Sequence, residues 1–247
     1  MHFDVQVFLA TLFSSVFLLP ALTTLGVTVG AMVIGTVLGF AGAFASMSRW
    51  APVRALARLY VGIFRGVPAL VQIVFWYDAL AEITNNAINL PALAAGVIAL
   101  GMNEGAYMTE IIRAGLISVD PGQRDAARAL GMTGPLTMRR IIVPQALRII
   151  IPPTGNQVIS MLKTTSLLFT ISVHEIFGKG TDIYSQNFKY FEVLLVVSIW
   201  YLVLAALFTT VQQAIERRFA IGPGVGEIKA PGVMDRLFGF GGTGRAG

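Results

Sequence analysis

The stretch Val5 to Ser48, VQVFLATLFSSVFLLPALTTLGVTVGAMVIGTVLGFAGAFASMS, contains no Asp, Glu, Lys or Arg. A secretory signal peptide has an apolar region of only about 7–15 residues, so this one is a structural part of the chain. Crossing the roughly 30 Å hydrocarbon core of a bilayer takes about 20 apolar residues in a helix. The stretch could hold two spans joined by a tight turn. Pro20 and the polar cluster Thr11, Ser14 and Ser15 instead favour an interfacial lead-in over residues 1–18 and one long span over 19–47.

Composition extends that reading to the whole chain. Of its 247 residues 55% are hydrophobic and 13% charged, and the mean hydropathy is +0.72. An ordinary soluble domain carries about 25% charged residues, so the solvent here is lipid. Disorder, nucleic-acid binding through a basic surface and a disulfide-stapled secreted scaffold are disfavoured on the same figures. With no cysteine and only two histidines, thiolate chemistry is absent and a zinc site is disfavoured.

Further apolar segments at 56–80, 91–112, 151–173 and 190–214 bring the expected spans to five, and the fold class to an all-α polytopic membrane protein. Basic residues in the connections set the orientation. The first connection carries Arg49, Arg54 and Arg58, and the third carries Arg113, Arg124, Arg128, Arg139, Arg140 and Arg148. The second has Asp78 and Glu82 and no basic residue, while the fourth sets Lys179 and Lys189 against Glu175 and Asp182. The predicted N-terminus is therefore outside and the C-terminus inside. The net charge of +5 is a topology signal, since fourteen of the eighteen basic residues sort to one side. The glycine-rich segment 217–247 reads as a flexible cytoplasmic tail.

No P-loop, HExxH or GxSxG pattern is present. Gly26-x3-Gly30 and Gly35-x3-Gly39 permit close helix approach, either within one subunit or at a dimer seam. The third connection, 118–152, and its loop at 118–144 above all, is the most informative. Asp120 suits an N-cap, Pro121 the first helical position and Gly131 the C′ position, which predicts a helix over Pro121–Leu130. A second helix restarts at Thr133-Gly134-Pro135 and runs toward Pro144. Ala126, Ala127 and Leu130 form a small apolar face beside Arg124, Asp125 and Arg128. The pair is either a solvated loop that only satisfies the charge rule, or a knob that docks into a partner's groove.

The run Asp125-Ala126-Ala127-x3-Gly131-x9-Ile141-x-Val143-Pro144 resembles the EAA loop, E-A-A-x3-G-x9-I-x-L-P, of permease subunits of binding-protein-dependent ABC importers. Two positions depart conservatively, Asp125 for Glu and Val143 for Leu. Arg65-Gly66-Val67-Pro68-Ala69-Leu70-Val71-Gln72 resembles the R-G-T-P-L-L-V-Q run of the polar amino acid branch. So do Gly105-Ala106-Tyr107 with Glu110, Ile111 and Arg113, Pro144-Gln145-Ala146-Leu147-Arg148, Pro152-Pro153-x-Gly155-Asn156, and Leu162-Lys163-x-Thr165-Ser166-Leu167. Thr164 departs where the branch often has Asp, and Glu104 where a small residue is usual.

The resemblance implies a multi-pass permease domain over 19–216 in a bacterial inner membrane. It also implies an ABC ATPase subunit dimer on the cytoplasmic face that holds ATP and magnesium, a second permease subunit, identical or homologous, and a periplasmic or surface solute-binding protein. No cofactor is expected on this chain, no nucleic-acid partner and no catalytic residue, and membrane lipid surrounds it. ATPase coupling falls to Asp125, Ala126, Ala127, Gly131, Ile141, Val143 and Pro144. An ionisable group at mid-membrane costs about 2.5–3.5 kcal/mol on insertion scales, so Glu104 and Lys163 are candidates for the substrate path. Gln72, Asn103, Tyr107 and Asn156 add neutral hydrogen-bonding groups. Glu104 and Lys163 could equally form an internal ion pair. The competing functional classes are a stand-alone channel or secondary transporter, which needs no docking helix, and an intramembrane enzyme or structural subunit.

Overall fold

A computed structural model describes residues 3–219. Among them every regular element is helical. α1 (Val5–Leu12) is capped by Asp4, whose side chain accepts from the Val7 amide. A 3-10 turn at Ser15–Phe17 leads into α2 (Leu18–Ser46), close to the expected span. Pro20 is tolerated there because first-turn amides have no intrahelical partner in any case. α1 docks on the far end of the chain. The Asp4 amide donates to Glu192 Oε1 at 2.9 Å and Lys189 Nζ donates to Asp4 Oδ2 at 3.1 Å. The Val7 amide, followed by the Lys189 ammonium, holds the Asp4 carboxyl below its ordinary value.

The segment read as one span over 56–80 is two helices. α3 (Ala51–Gly66) ends at Val67, which is extended (ψ 133°), and the chain restarts as α4 (Ala69–Val74). A π-helical turn at Phe75–Ala79 leads on to α5 (Leu80–Ile83). The two halves meet at 106°. Pro68 is the cause, because its ring drives the preceding residue out of the helical region and it offers no amide to Phe64.

α6 (Ala92–Ile117) extends five residues beyond the expected end of its span and lies at the centre, against α2, α3 and α4. α2 reaches it through glycine. A Cβ on Gly35 would stand 2.6 Å from Glu104 Cγ, and one on Gly39 would collide with Met108. These glycines serve packing within the chain.

α7 (Pro121–Ala129) and α8 (Gly134–Thr137) form the connection. A π-helical turn at Met138–Ile142 continues directly into α9 (Val143–Thr164). The second helix of the loop therefore does not stop at Pro144, which directly follows the π-helical turn. α9 contains Pro152 and Pro153 and passes into a 3-10 helix at Thr165–Ile171. α10 (Ile176–Asn187) fills a connection expected to be a loop, and α11 (Tyr190–Phe219) completes the bundle. α11 continues to Phe219, into the stretch read as tail, and the remainder of that tail lies outside the described residues.

By length and composition Ser15–Ser46 and Tyr190–Phe219 are apolar enough to cross a membrane, and the bent pair Ala51–Gly66 with Ala69–Ile83 is a third candidate. α6 and α9 are helices where spans were expected, but Glu104, Glu110 and Arg113 in the one, and Arg148, Asn156 and Lys163 in the other, lower their hydropathy.

Candidate functional site

Pro68 leaves the carbonyl of Phe64 without its helical partner. Gln72 Nε2 donates to that carbonyl at 3.0 Å and to the Val67 carbonyl at 2.9 Å. Asn103 Nδ2, from α6, donates to the same Phe64 oxygen at 2.8 Å. Two of the expected pathway residues are thus engaged at the α3–α4 break, which they hold against α6. Tyr60 adds to this seam, its hydroxyl donating to the Met102 carbonyl at 2.7 Å.

One turn along α6, Tyr107 lies under the Arg65 guanidinium, 5.3 Å from ring centroid to Cζ. Arg65 Nη1 is 3.6 Å from Glu110 Oε2, and Arg113 Nε is 3.5 Å from Glu110 Oε1. These three ionisable side chains keep 37–44% of their surface exposed. Groups like these, on helices of a membrane protein, turn toward protein or water and not toward lipid. Arg65, Glu110 and Arg113 were quoted in the sequence motifs but not chosen as site residues. Their sequence signal was an ionisable group within a largely apolar helix.

Glu104 is 3% exposed, sits against Gly35, and has one carboxylate oxygen, Oε1, without a partner. It forms no ion pair with Lys163. Lys163 is exposed and borders a cavity of about 510 Å³ between α9, α10 and α11, beside Ser166, Ser198 and Tyr201. The structure thus separates the two groups proposed as an internal pair, because they occupy different faces of the bundle. Asn156 is exposed on α9 and is not brought to Glu104 or Lys163 by any described contact.

Glu175, read only as a charge of the fourth connection, has a structural role. It is fully buried and caps α10, accepting from the Gly178 amide at 2.8 Å. It also accepts from the Tyr201 hydroxyl at 2.5 Å and from Thr24 Oγ1 at 3.4 Å. It ties α2, α10 and α11 together.

In the connection, Asp120 Oδ1 accepts from the Gly122 amide at 2.6 Å. The helix closes with the Gly131 amide donating to Arg128 O at 2.9 Å and the Met132 amide donating to Ala127 O at 3.0 Å. This paired closure needs a left-handed residue at C′, and Gly131 supplies it with φ +74°. The expected apolar face divides. Ala127 is buried, whereas Ala126 and Leu130, one turn apart, face outward, with Leu130 81% exposed. Asp125 and Arg128 pair at 3.4 Å on the exposed side. Ile141 packs into the core of Ile112, Leu116 and Ile142. Val143 is half-buried and Pro144 exposed.

A helical membrane bundle with a capped helix projecting from its arginine-rich side and a polar cluster along one inner helix belongs to the class of membrane transport subunits. The chain belongs to the binding-protein-dependent transport system inner membrane component family, whose pattern matches residues 35–221. It is 44% identical over 213 residues, 82% of this chain and 67% of the other, to an arginine transport system permease protein of Corynebacterium glutamicum. It is 35% identical over 192 residues, 78% of this chain and 85% of the other, to the glutamine transport system permease protein of Escherichia coli K12. A crystal structure of an amino acid ABC transporter with histidines superposes with a TM-score of 0.80 at 36% identity, covering 88% of this chain and 100% of that one. Inward-facing methionine ABC transporter structures share the fold, with a TM-score of 0.67 at 19% identity.

If Gln72 and Asn103 share the Phe64 carbonyl, Gln72→Leu should lower thermal stability by about 1–3 kcal/mol. Asn103→Leu should do the same, and the double variant should lose more than the sum, because only then is the Phe64 carbonyl left without a donor. Fully additive losses in thermal denaturation of the detergent-purified chain would show that the two side chains act independently.

Proposed function

We propose that the chain is the membrane-spanning subunit of an ATP-driven importer for a polar amino acid or an opine-like derivative. It crosses the membrane five times, with the N-terminus outside. Hydrolysis of ATP with magnesium takes place in a partner ATPase pair. A second permease subunit completes the path, and a solute-binding protein delivers substrate from outside. The observation that carries this reading is α7, a short helix rigidly closed at Gly131, with Ala126 and Leu130 presented to a partner and basic residues around them. A channel has no need of such an element. Asp125, Ala126 and Leu130 form the contact, while Ala127, Ile141, Val143 and Pro144 join it mechanically to α9.

The polar side of α6 faces the path. The Arg65, Tyr107, Glu110 and Arg113 cluster lies along it, and Gln72 and Asn103 shape it by holding the α3–α4 break. Glu104, with its uncommitted oxygen, favours a substrate with a basic side chain, and the arginine permease relative supports that preference. Asn156 and Lys163 serve the outer approach through hydrogen bonding and attraction of a carboxylate.

Gly131→Leu forces a side chain into the left-handed region at a cost of about 1–2 kcal/mol, borne by the docking helix and not by the membrane core. The variant should insert normally, while uptake falls at least tenfold and the partner's ATP hydrolysis no longer responds to substrate. Uptake equal to wild type would remove the docking role. Glu104→Gln should reduce uptake of a basic amino acid relative to glutamine in competition assays; an unchanged substrate profile would assign Glu104 to packing alone.

A further inference from the structure

Between α2, α6, α9 and α11 runs a groove of about 360 Å³. Its floor is Met108, Ile112 and Ile150, all buried, and its rim is Phe40, Val211 and Ile215, which are 39%, 51% and 45% exposed. The polar side chains on its walls are largely engaged elsewhere. The Thr154 hydroxyl donates to the Ile150 carbonyl at 2.8 Å. Gln212 Nε2 donates to Glu216 Oε1 at 2.7 Å and to the Pro152 carbonyl at 3.3 Å. What remains is an apolar slot, open along one side.

Its length matches one leaflet. Along α9 it is lined from Leu147 to Val158, eleven positions or about 16 Å at roughly 1.5 Å per residue, against about 30 Å for the full hydrocarbon core. Its arginine-bearing end carries positive charge on both walls. Arg148, next to slot-lining Leu147, stands at the edge of the slot on α9, and Arg218 stands one turn beyond Ile215 at its edge on α11, two positions from Glu216, which accepts from slot-lining Gln212. Neither arginine joins an ion pair among the described residues. On α6, Glu110 lies two positions, about 200°, from both Met108 and Ile112. The Glu110 cluster assigned to the path therefore points away from the slot, and Glu104, one turn before Met108 on the slot side of α6, is buried against Gly35 of α2 and does not line the slot, which leaves the slot to lipid.

We infer that the slot binds one acyl chain of an anionic phospholipid of the cytoplasmic leaflet, with the phosphate held by Arg148 and Arg218. Basic residues beside a gap between helices on the cytoplasmic side are suited to such headgroups. The leaflet and the lipid-facing assignment rest on the orientation and path proposed above, and the test below reads lipid retention separately from transport.

The test uses the full chain, purified with its co-expressed partners and incubated with phosphatidylglycerol or phosphatidylcholine of identical acyl chains, with retained lipid read by native mass spectrometry. Phosphatidylglycerol should be retained several-fold over phosphatidylcholine. Arg218→Gln, at an exposed site that leaves packing intact, should cut that preference about fivefold, the equivalent of about 1 kcal/mol for one arginine. Val211→Trp, which fills the slot, should abolish retention. Equal retention of both lipids, unmoved by either substitution, would mean annular lipid only and overturn the proposal. A disulfide between copies of Val211→Cys, in a chain without native cysteine, would hand the slot to a second copy. Retention that appears only after deletion of residues 220–247 would hand it to the chain's own C-terminal segment. Lipid preference that persists in a chain found not to couple to an ATPase would overturn the transport reading and leave the slot standing.

Discussion

A buried carbonyl without a donor costs on the order of 1–3 kcal/mol, and Pro68 removes the helical donor from the carbonyl of Phe64, at the break between α3 and α4. The side chains that satisfy it, Gln72 from α4 and Asn103 from α6, fix where the chain turns through 106° and which face of α6 the turn covers. The Arg65, Tyr107 and Glu110 contacts follow from that placement, because Arg65 sits immediately before the break. A continuous helix through residues 56–80 would carry Arg65 elsewhere.

The second constraint is the close approach of α2 to α6. Gly35 and Gly39 let the two helices touch backbone to side chain, and Glu104 and Met108 occupy the space that Cβ atoms would need. Glu104 is enclosed as a result, although one of its oxygens has no partner. Glu175 is enclosed too, but it is satisfied by Tyr201, Thr24 and Gly178 and serves as a structural joint. Two buried carboxylates of similar burial thus differ in the property that matters for function, the availability of an oxygen.

Local signals in the sequence read well, and those depending on a distant partner did not. The charge-free run placed α2 within a residue or so, and the order Asp120, Pro121, Gly131 placed α7 nearly to its ends, because capping is decided within a few residues. The α3–α4 break was hidden by a hydrophobic run that continues straight through it, although Pro68 was in view. α10 was missed because Lys179 and Asp182 give it no apolar period and its N-cap is held by Thr24, 151 positions away. The roles of Gln72 and Asn103 were invisible for the same reason, since their shared acceptor is a backbone oxygen exposed only by the fold. An internal Glu104–Lys163 pair was one of the alternatives open in the sequence, and the bundle places the two apart. The motif carried by α7, together with the relatives, supplies the functional class that geometry alone left open.

Under the proposed function, transport through this chain is driven by a partner's ATP hydrolysis. The most direct test is amino acid uptake into proteoliposomes that contain the chain, its co-expressed ATPase and solute-binding protein, with ATP and magnesium inside or withheld. Accumulation against a gradient only when ATP is present is the predicted result. Uptake that equilibrates substrate without ATP, or that proceeds with the chain alone, would make it a channel or secondary transporter and contradict the account.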